Sequence, residues 1–190
     1  MKKMKKIIVS LLVLTGMAFT TLSGQKYFTR EGKVSFYSDA PLEKIEAVNH
    51  AATSVLDTET GKVEFAMLIK AFQFKKELMQ EHFNENYMES SVYPKAIFKG
   101  KIEQVEAVNF FSDGEYPVVV KGKLTIRGIT KEVEANGKIV VKEGAISGTA
   151  FFDVAVADYE IEVPRIVRGK IAKIVRVSVA VDYQALKKKS

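Results

Sequence analysis

From about residue 33 to residue 183 the chain alternates. Val118, Val120, Gly122, Leu124 and Ile126 take every second place, with polar or charged residues at most of the places between. Val63, Phe65, Met67 and Ile69 repeat the pattern, as do Ala96, Phe98, Gly100 and Ile102. So do Ile146, Gly148, Ala150, Phe152, Val154 and Val156. A period of two is the signature of a strand with one buried face. The segmentation predicts eight strands, near 33–38, 43–56, 62–72, 94–111, 116–127, 129–142, 145–157 and 170–183. Glu31-Gly32, Thr60-Gly61, Asp113-Gly114, Arg127-Gly128 and Glu143-Gly144 are the expected turns, since glycine takes the positive φ a tight turn needs. Asn136-Gly137 falls inside the sixth strand and reads as a β-bulge.

One stretch departs from this period. In 75–90, Leu78, Met79, His82, Phe83 and Tyr87 fall three to five apart, which predicts a single helix. Val92-Tyr93-Pro94 ends it, because the residue before a proline avoids helical angles.

The outward positions are rich in Lys and Glu. A membrane-spanning barrel would turn its apolar face outward to lipid, so the pattern excludes one. A sandwich or a closed barrel remains. Gly100, Gly122, Gly148, Ala96, Ala135 and Ala150 fall on inward faces. Two readings of them stay open: an elongated apolar cavity, or tight packing against large neighbours such as Phe98 and Phe152.

The N-terminus belongs to another class. Lys2, Lys3, Lys5 and Lys6 precede an apolar run over 7–19, and then small and polar residues. This is the form of a secretory signal peptide, expected to be removed after residue 24 and to leave residues 25–190 as one domain in the periplasm or otherwise exported. There is no Cys, which removes disulfides, thiolate catalysis and a cysteine-linked lipid anchor together.

Charge changes the picture little. The chain has 29 Lys+Arg and 23 Asp+Glu. Four Lys lie in the leader and three more are Lys187–Lys189, so the body between them is close to neutral. A nucleic-acid partner is not expected, because its positive patch would sit on the folded domain. The terminal lysines, and the short basic segment Pro164-Arg165-Ile166-Val167-Arg168, are the places where transient contact with an anionic membrane surface is conceivable.

Catalytic signatures are missing. His50 and His82 stand alone, without the spacing of a zinc site. Ser147 lies one place too late for a nucleophile elbow. Asp153, Asp158, Glu160 and Glu162 read as a solvated strand end. The expectation is a non-enzymatic protein with no metal and no cofactor. The alternative use of such a barrel is a filled structural or interaction module.

Several pieces, in order, resemble the YceI-like family of periplasmic lipid-binding proteins. They are Met79 with Glu81-His82-Phe83, then Tyr93-Pro94-Lys95-Ala96-Ile97-Phe98, then the run from Gly122 through Leu124-Thr125-Ile126-Arg127-Gly128-Ile129-Thr130 to Lys131. Phe152-Asp153-Val154 and Asp158-Tyr159-Glu160-Ile161 complete the set. Val156-Ala157 departs from the Arg-Ser pair frequent in the family. The resemblance implies an all-β, eight-stranded antiparallel lipocalin-like barrel with one covering α-helix. It also implies an isoprenoid or other long-chain lipid as ligand, held by an apolar lumen. The lumen candidates are Phe65, Met67, Ile69, Phe83, Phe98, Ile102, Val120, Leu124, Ile126, Phe152 and Val154.

Overall fold

A computed structural model describes residues 25–186. The proposed leader (1–24) and the lysine tail lie outside the described residues. Nine strands form one sheet: β1 (Lys26–Asp39), β2 (Lys44–Asp57), β3 (Lys62–Leu68), β4 (Gln73–Phe74), β5 (Lys95–Ile102), β6 (Gly114–Ile126), β7 (Ile129–Lys142), β8 (Ala145–Ala155) and β9 (Ile174–Ala185). The order is β1-β9-β8-β7-β6-β5-β3-β2, and β1 also pairs with β2. Eight strands therefore close into an antiparallel barrel. Two-residue β4 continues the edge of β2 where β3 leaves it, through Ala47↔Phe74 and Val48↔Gln73.

The turns follow local chemistry. Arg127 and Gly128 have φ of 49° and 75°, and Glu143 and Gly144 have 51° and 78°. Two consecutive left-handed residues make the tight hairpin turn whose twist matches paired strands. Glu31-Gly32 is not a turn, and the first strand begins at Lys26 rather than at 33. Gly32 sits inside β1, where pairing with β2 shifts on both sides of it. Each strand takes one extra residue here, and a side chain fastens each bulge. Glu31 N donates to Thr29 Oγ1 at 3.2 Å, and Ala51 N donates to Asn49 Oδ1 at 2.9 Å. Asn49, fully buried, also donates from Nδ2 to Leu68 O at 2.9 Å. The shift reverses the inward phase of β2, so Ser54 and Leu56 are buried while Val55 is exposed.

The bulge expected at Asn136-Gly137 is absent. Gly137 pairs in register with Val118 and Ala150. Glycine is needed there for close approach, because a Cβ would stand 2.5 Å from Thr149 O.

Two expected strands are shorter than their apolar runs. Beyond Ile102 the chain turns at left-handed Gln104 and forms a 3-10 turn, Val105–Ala107. Val108 and Phe110 then bury into the barrel end instead of extending the strand. Beyond Leu68 a 3-10 turn, Ile69–Ala71, leads to β4. The helix is likewise reduced to α1 (Glu77–His82), which passes into a π-helical turn at Phe83–Tyr87.

The barrel interior divides along its axis. At one end Leu56, Val63, Ile102, Val108, Phe110, Ile139, Val141, Ile146, Val181 and Tyr183 form a continuous packed core. Tyr183 Oη lies 2.8 Å from Ser54 Oγ within it. The inward glycines serve this density. A Cβ on Gly100 or Gly122 would stand 2.5 or 2.7 Å from Phe98 Cζ, so the Phe98 ring fills the space above the pair. The packing alternative therefore holds at Gly100, Gly122 and Gly148. At Gly148, Ile139 and Val181 take up the room at 3.3 Å.

At the other end the wall is split. Pairing of β7 with β8 stops at Asn136↔Phe151, although both strands continue. The 3-10 turn Val156–Tyr159 folds into this seam, and buried Tyr159 packs in one cluster with Leu124, Val154, Ile129 and Val133.

Candidate functional site

The split end holds a cavity of about 450 Å3. That volume lies within the range of roughly 300–1,000 Å3 typical of small-molecule sites. Its deep walls are apolar. Val34 and Phe36 come from β1, Met67 from β3, Leu124 and Ile126 from β6, Phe152 and Val154 from β8, and Val175 and Val177 from β9. Phe98 and Val179 each pack against both the filled core and the clusters around the cavity, so they form the partition between the halves.

One side is lined by aromatic rings. Phe36 stacks on Phe83 with centroids 5.4 Å apart, and Phe72 and Phe74 meet Phe83 at 5.6 and 5.0 Å. Such pairs are worth about 0.5–1.5 kcal/mol each beyond the area they bury. They fix the covering segment against β1 although α1 is short and buries no residue of its own.

Polar lining groups come from the rim segments. Lys76 Nζ pairs with Glu43 Oε1 at 3.4 Å. His82 and Lys170 are the other charged or titratable lining groups besides Tyr87, whose burial raises its hydroxyl above the usual range. Ser38 is buried, and its Oγ accepts from Ala172 N at 2.9 Å, which ties β1 to the loop before β9. The site is therefore a blind apolar slot with a polar rim. It can hold an apolar chain and meet a polar group at the opening.

Of the lumen candidates, Met67, Ile69, Phe83, Leu124, Ile126, Phe152 and Val154 line this cavity. Phe65, Ile102 and Val120 also point inward, but into the packed half, and Phe98 stands in the partition, so none of the four lines it. Residues outside the lumen candidates supply much of the rest: Val34, Phe36, Phe72, Phe74 and the loop residues Val163, Val167 and Ile171. Phe36 was legible as an inward strand position. The loop residues carry no periodic signal.

The signature hairpin has a positioning role. Arg127 is only 15% exposed at its side chain, and its two terminal nitrogens reach Glu89 Oε1 and Glu160 O. The Tyr93 ring lies 6.0 Å beneath its guanidinium. Glu89 and Glu160 are themselves left-handed, with φ of 45° and 52°. One guanidinium thus gathers the β6–β7 turn, the end of the helical cover and the end of the seam plug.

Catalytic groups do not converge. Asp153 pairs with Arg176 on the exterior at 3.0 Å, Asp158 is exposed, and His82 stands at the rim. Among the described residues no cluster of three or more His, Asp or Glu could hold a metal ion, and no helix is long and apolar enough to cross a membrane.

A family model, the YceI-like domain, matches residues 17–183. The chain belongs to this family. Solved structures repeat the fold at low identity. A polyisoprenoid-binding domain from Saccharophagus degradans, implicated in plant cell wall breakdown, aligns with a TM-score of 0.74 at 12% identity, over 86% of this chain and 99% of that one. Burkholderia cenocepacia BcnA aligns with a TM-score of 0.64 at 16% identity, over 80% and 96%. The Campylobacter jejuni YceI protein aligns with a TM-score of 0.56 at 15% identity, over 98% and 92%. No curated protein matches the chain.

Proposed function

Proceeding from a YceI-like barrel with one open end, we propose that this chain is an exported binding protein that holds and ferries an amphiphilic lipid. The apolar, isoprenoid-type chain enters the open half, and the polar group stays at the rim beside Lys76, Lys170 and His82. The observation that carries this reading is the blind slot itself: about 450 Å3 of apolar-walled space with its charged groups confined to the opening. Burial of the chain is the driving force, at about 25 cal/mol per Å2 of apolar surface. Because the partition at Phe98 stops the slot, a long chain occupies it from one end and its remainder lies toward the mouth. The S. degradans domain supports the ligand class through its described polyisoprenoid binding.

The test is native mass spectrometry and lipid extraction of protein purified from its source envelope, followed by uptake of isoprenoid quinones and fatty acids. A bound or readily acquired lipid is expected. Val177→Trp places a large ring in the open half and should weaken uptake by at least about tenfold, since the volume the chain needs is occupied. Protein that emerges empty and takes up neither lipid class overturns the reading and leaves the interaction module.

A further inference from the structure

The loop 164–173, between the seam plug and β9, forms one side of the cavity mouth. Its sequence is Pro-Arg-Ile-Val-Arg-Gly-Lys-Ile-Ala-Lys, with four cations and no carboxylate. Among the described residues none of Arg165, Arg168, Lys170 and Lys173 forms an ion pair. Between the two arginines, Ile166 is 92% exposed, more than any other large apolar side chain described. Its neighbours Val167 and Ile171 line the cavity. The loop is thus two-sided, with one apolar set inside the mouth and one isoleucine outside it among cations.

A second exposed apolar residue stands beside it. Leu42 is 74% exposed, and its N donates to Gly169 O at 2.9 Å. Its side chain lies so close that a Cβ on Gly169 would stand 2.8 Å from Leu42 Cδ1. The neighbouring carboxylates Asp39 and Glu43 are taken up by Lys44 and Lys76. Glu77, Glu81, Glu160 and Glu162 lie on the flanking segments, so the surplus of positive charge is local to the loop. The loop is therefore the basic patch of the mouth, and an anionic surface is attracted to it.

We propose that the 164–173 loop, with Leu42, is a docking surface for an anionic lipid bilayer and holds the cavity mouth against the head groups. The inference rests on the lipid-holding reading for its purpose, but its physics is separate. Basic side chains near an anionic leaflet attract it, and an apolar side chain among them enters the boundary between head groups and acyl chains. A bilayer suits this surface better than an acidic protein. The exposed apolar groups border an opening that a protein partner would stopper, whereas a bilayer would supply and receive an apolar chain through it.

The test uses the leaderless chain with vesicles of phosphatidylcholine alone, or mixed with phosphatidylglycerol, in a sedimentation assay. Binding is expected on the mixed vesicles, little on the neutral ones, and a steep loss with added salt. Arg165→Glu with Arg168→Glu should weaken binding by at least about tenfold, and Ile166→Ser by several-fold. None of these residues lines the cavity. Lipid content by native mass spectrometry should therefore be unchanged, which separates failure of docking from failure of the carrier reading. No binding to the mixed vesicles, or binding that survives the double reversal, overturns the proposal. Capture by polyglutamate as strong as by vesicles, and indifferent to Ile166→Ser, overturns it as well.

Discussion

The two ends of this barrel are built from the same residue types, yet one is solid and the other hollow. In the packed half every inward gap is met: Phe98 lies over Gly100 and Gly122, Ile139 and Val181 over Gly148, and Phe110 enters from the loop beyond β5. In the open half the large side chains lie along the wall. Phe36, Phe72, Phe74 and Phe83 spend their contacts on one another, and β7 parts from β8 where the interior widens. Alternation specifies a wall. Whether the wall encloses side chains or space depends on where the strands separate and on what the loops send inward.

The sharpest way to break this division is through its partition. Phe98→Ala should cost about 3–5 kcal/mol, the range for removing a packed aromatic ring, because Gly100 and Gly122 offer nothing to replace it. The same variant should lengthen the slot and shift lipid preference toward longer chains. Urea denaturation and competitive lipid uptake check the two outcomes. A matched pair measures the contrast directly. Ile102→Ala, in the packed half, should cost about 2–5 kcal/mol. Ile126→Ala, on the cavity wall, should cost about 1 kcal/mol, near the transfer of one or two methylene groups without a new void. Equal costs would mean that the open half is packed in solution.

The next effect in size is at Arg127. Arg127→Ala removes charge-assisted hydrogen bonds to Glu89 and Glu160, and should lower unfolding stability by about 2 kcal/mol. Its more specific readout is hydrogen exchange. Protection should fall at 83–93 and 156–161, which border the open half, and stay unchanged around Ile102 and Ile146. Arg127→Lys should recover only part of this, because an ammonium cannot span two acceptors as a planar fork does.

The sequence made the barrel legible because closure needs only one-sided strands and tight turns, and both leave periodic marks. Arg127-Gly128 and Glu143-Gly144 were visible for that reason. Glu31-Gly32 misled because the same glycine freedom that makes turns also makes bulges, and only pairing with β2 distinguishes them. At Gly137 the constraint was a carbonyl on β8, distant in sequence. The lumen candidates split for a related reason. Phe98 and Phe152 share the inward parity of strands that run the whole barrel length, but parity says nothing about depth. Val167 and Ile171 stand at the mouth on a loop, where no period exists to reveal them.

The smallest contrast lies in two buried tyrosines, one for each half. Tyr183, in the packed end, has Ser54 as hydrogen-bond partner, whereas the Tyr159 hydroxyl in the seam has none. Tyr183→Phe strands a buried serine and should cost about 1 kcal/mol, while Tyr159→Phe should be neutral or slightly stabilising. Alkaline pH adds a second test. Burial pushes both hydroxyls up to about 12, with Asp158 adding to the effect at Tyr159 and the Ser54 bond opposing it at Tyr183. The unfolded chain ionises near pH 10, so between about 10 and 12 it releases protons that the folded state retains. Stability is whole below that window and falls as pH rises through it. Thermal unfolding followed from pH 8 upward should show the decline begin near 10 in the parent protein. Each Tyr→Phe variant should flatten it, and the double variant should remove most of it. A parent curve that stays level beyond pH 11 would mean that solvent reaches both rings, and that the seam and the packed end are looser than their burial implies.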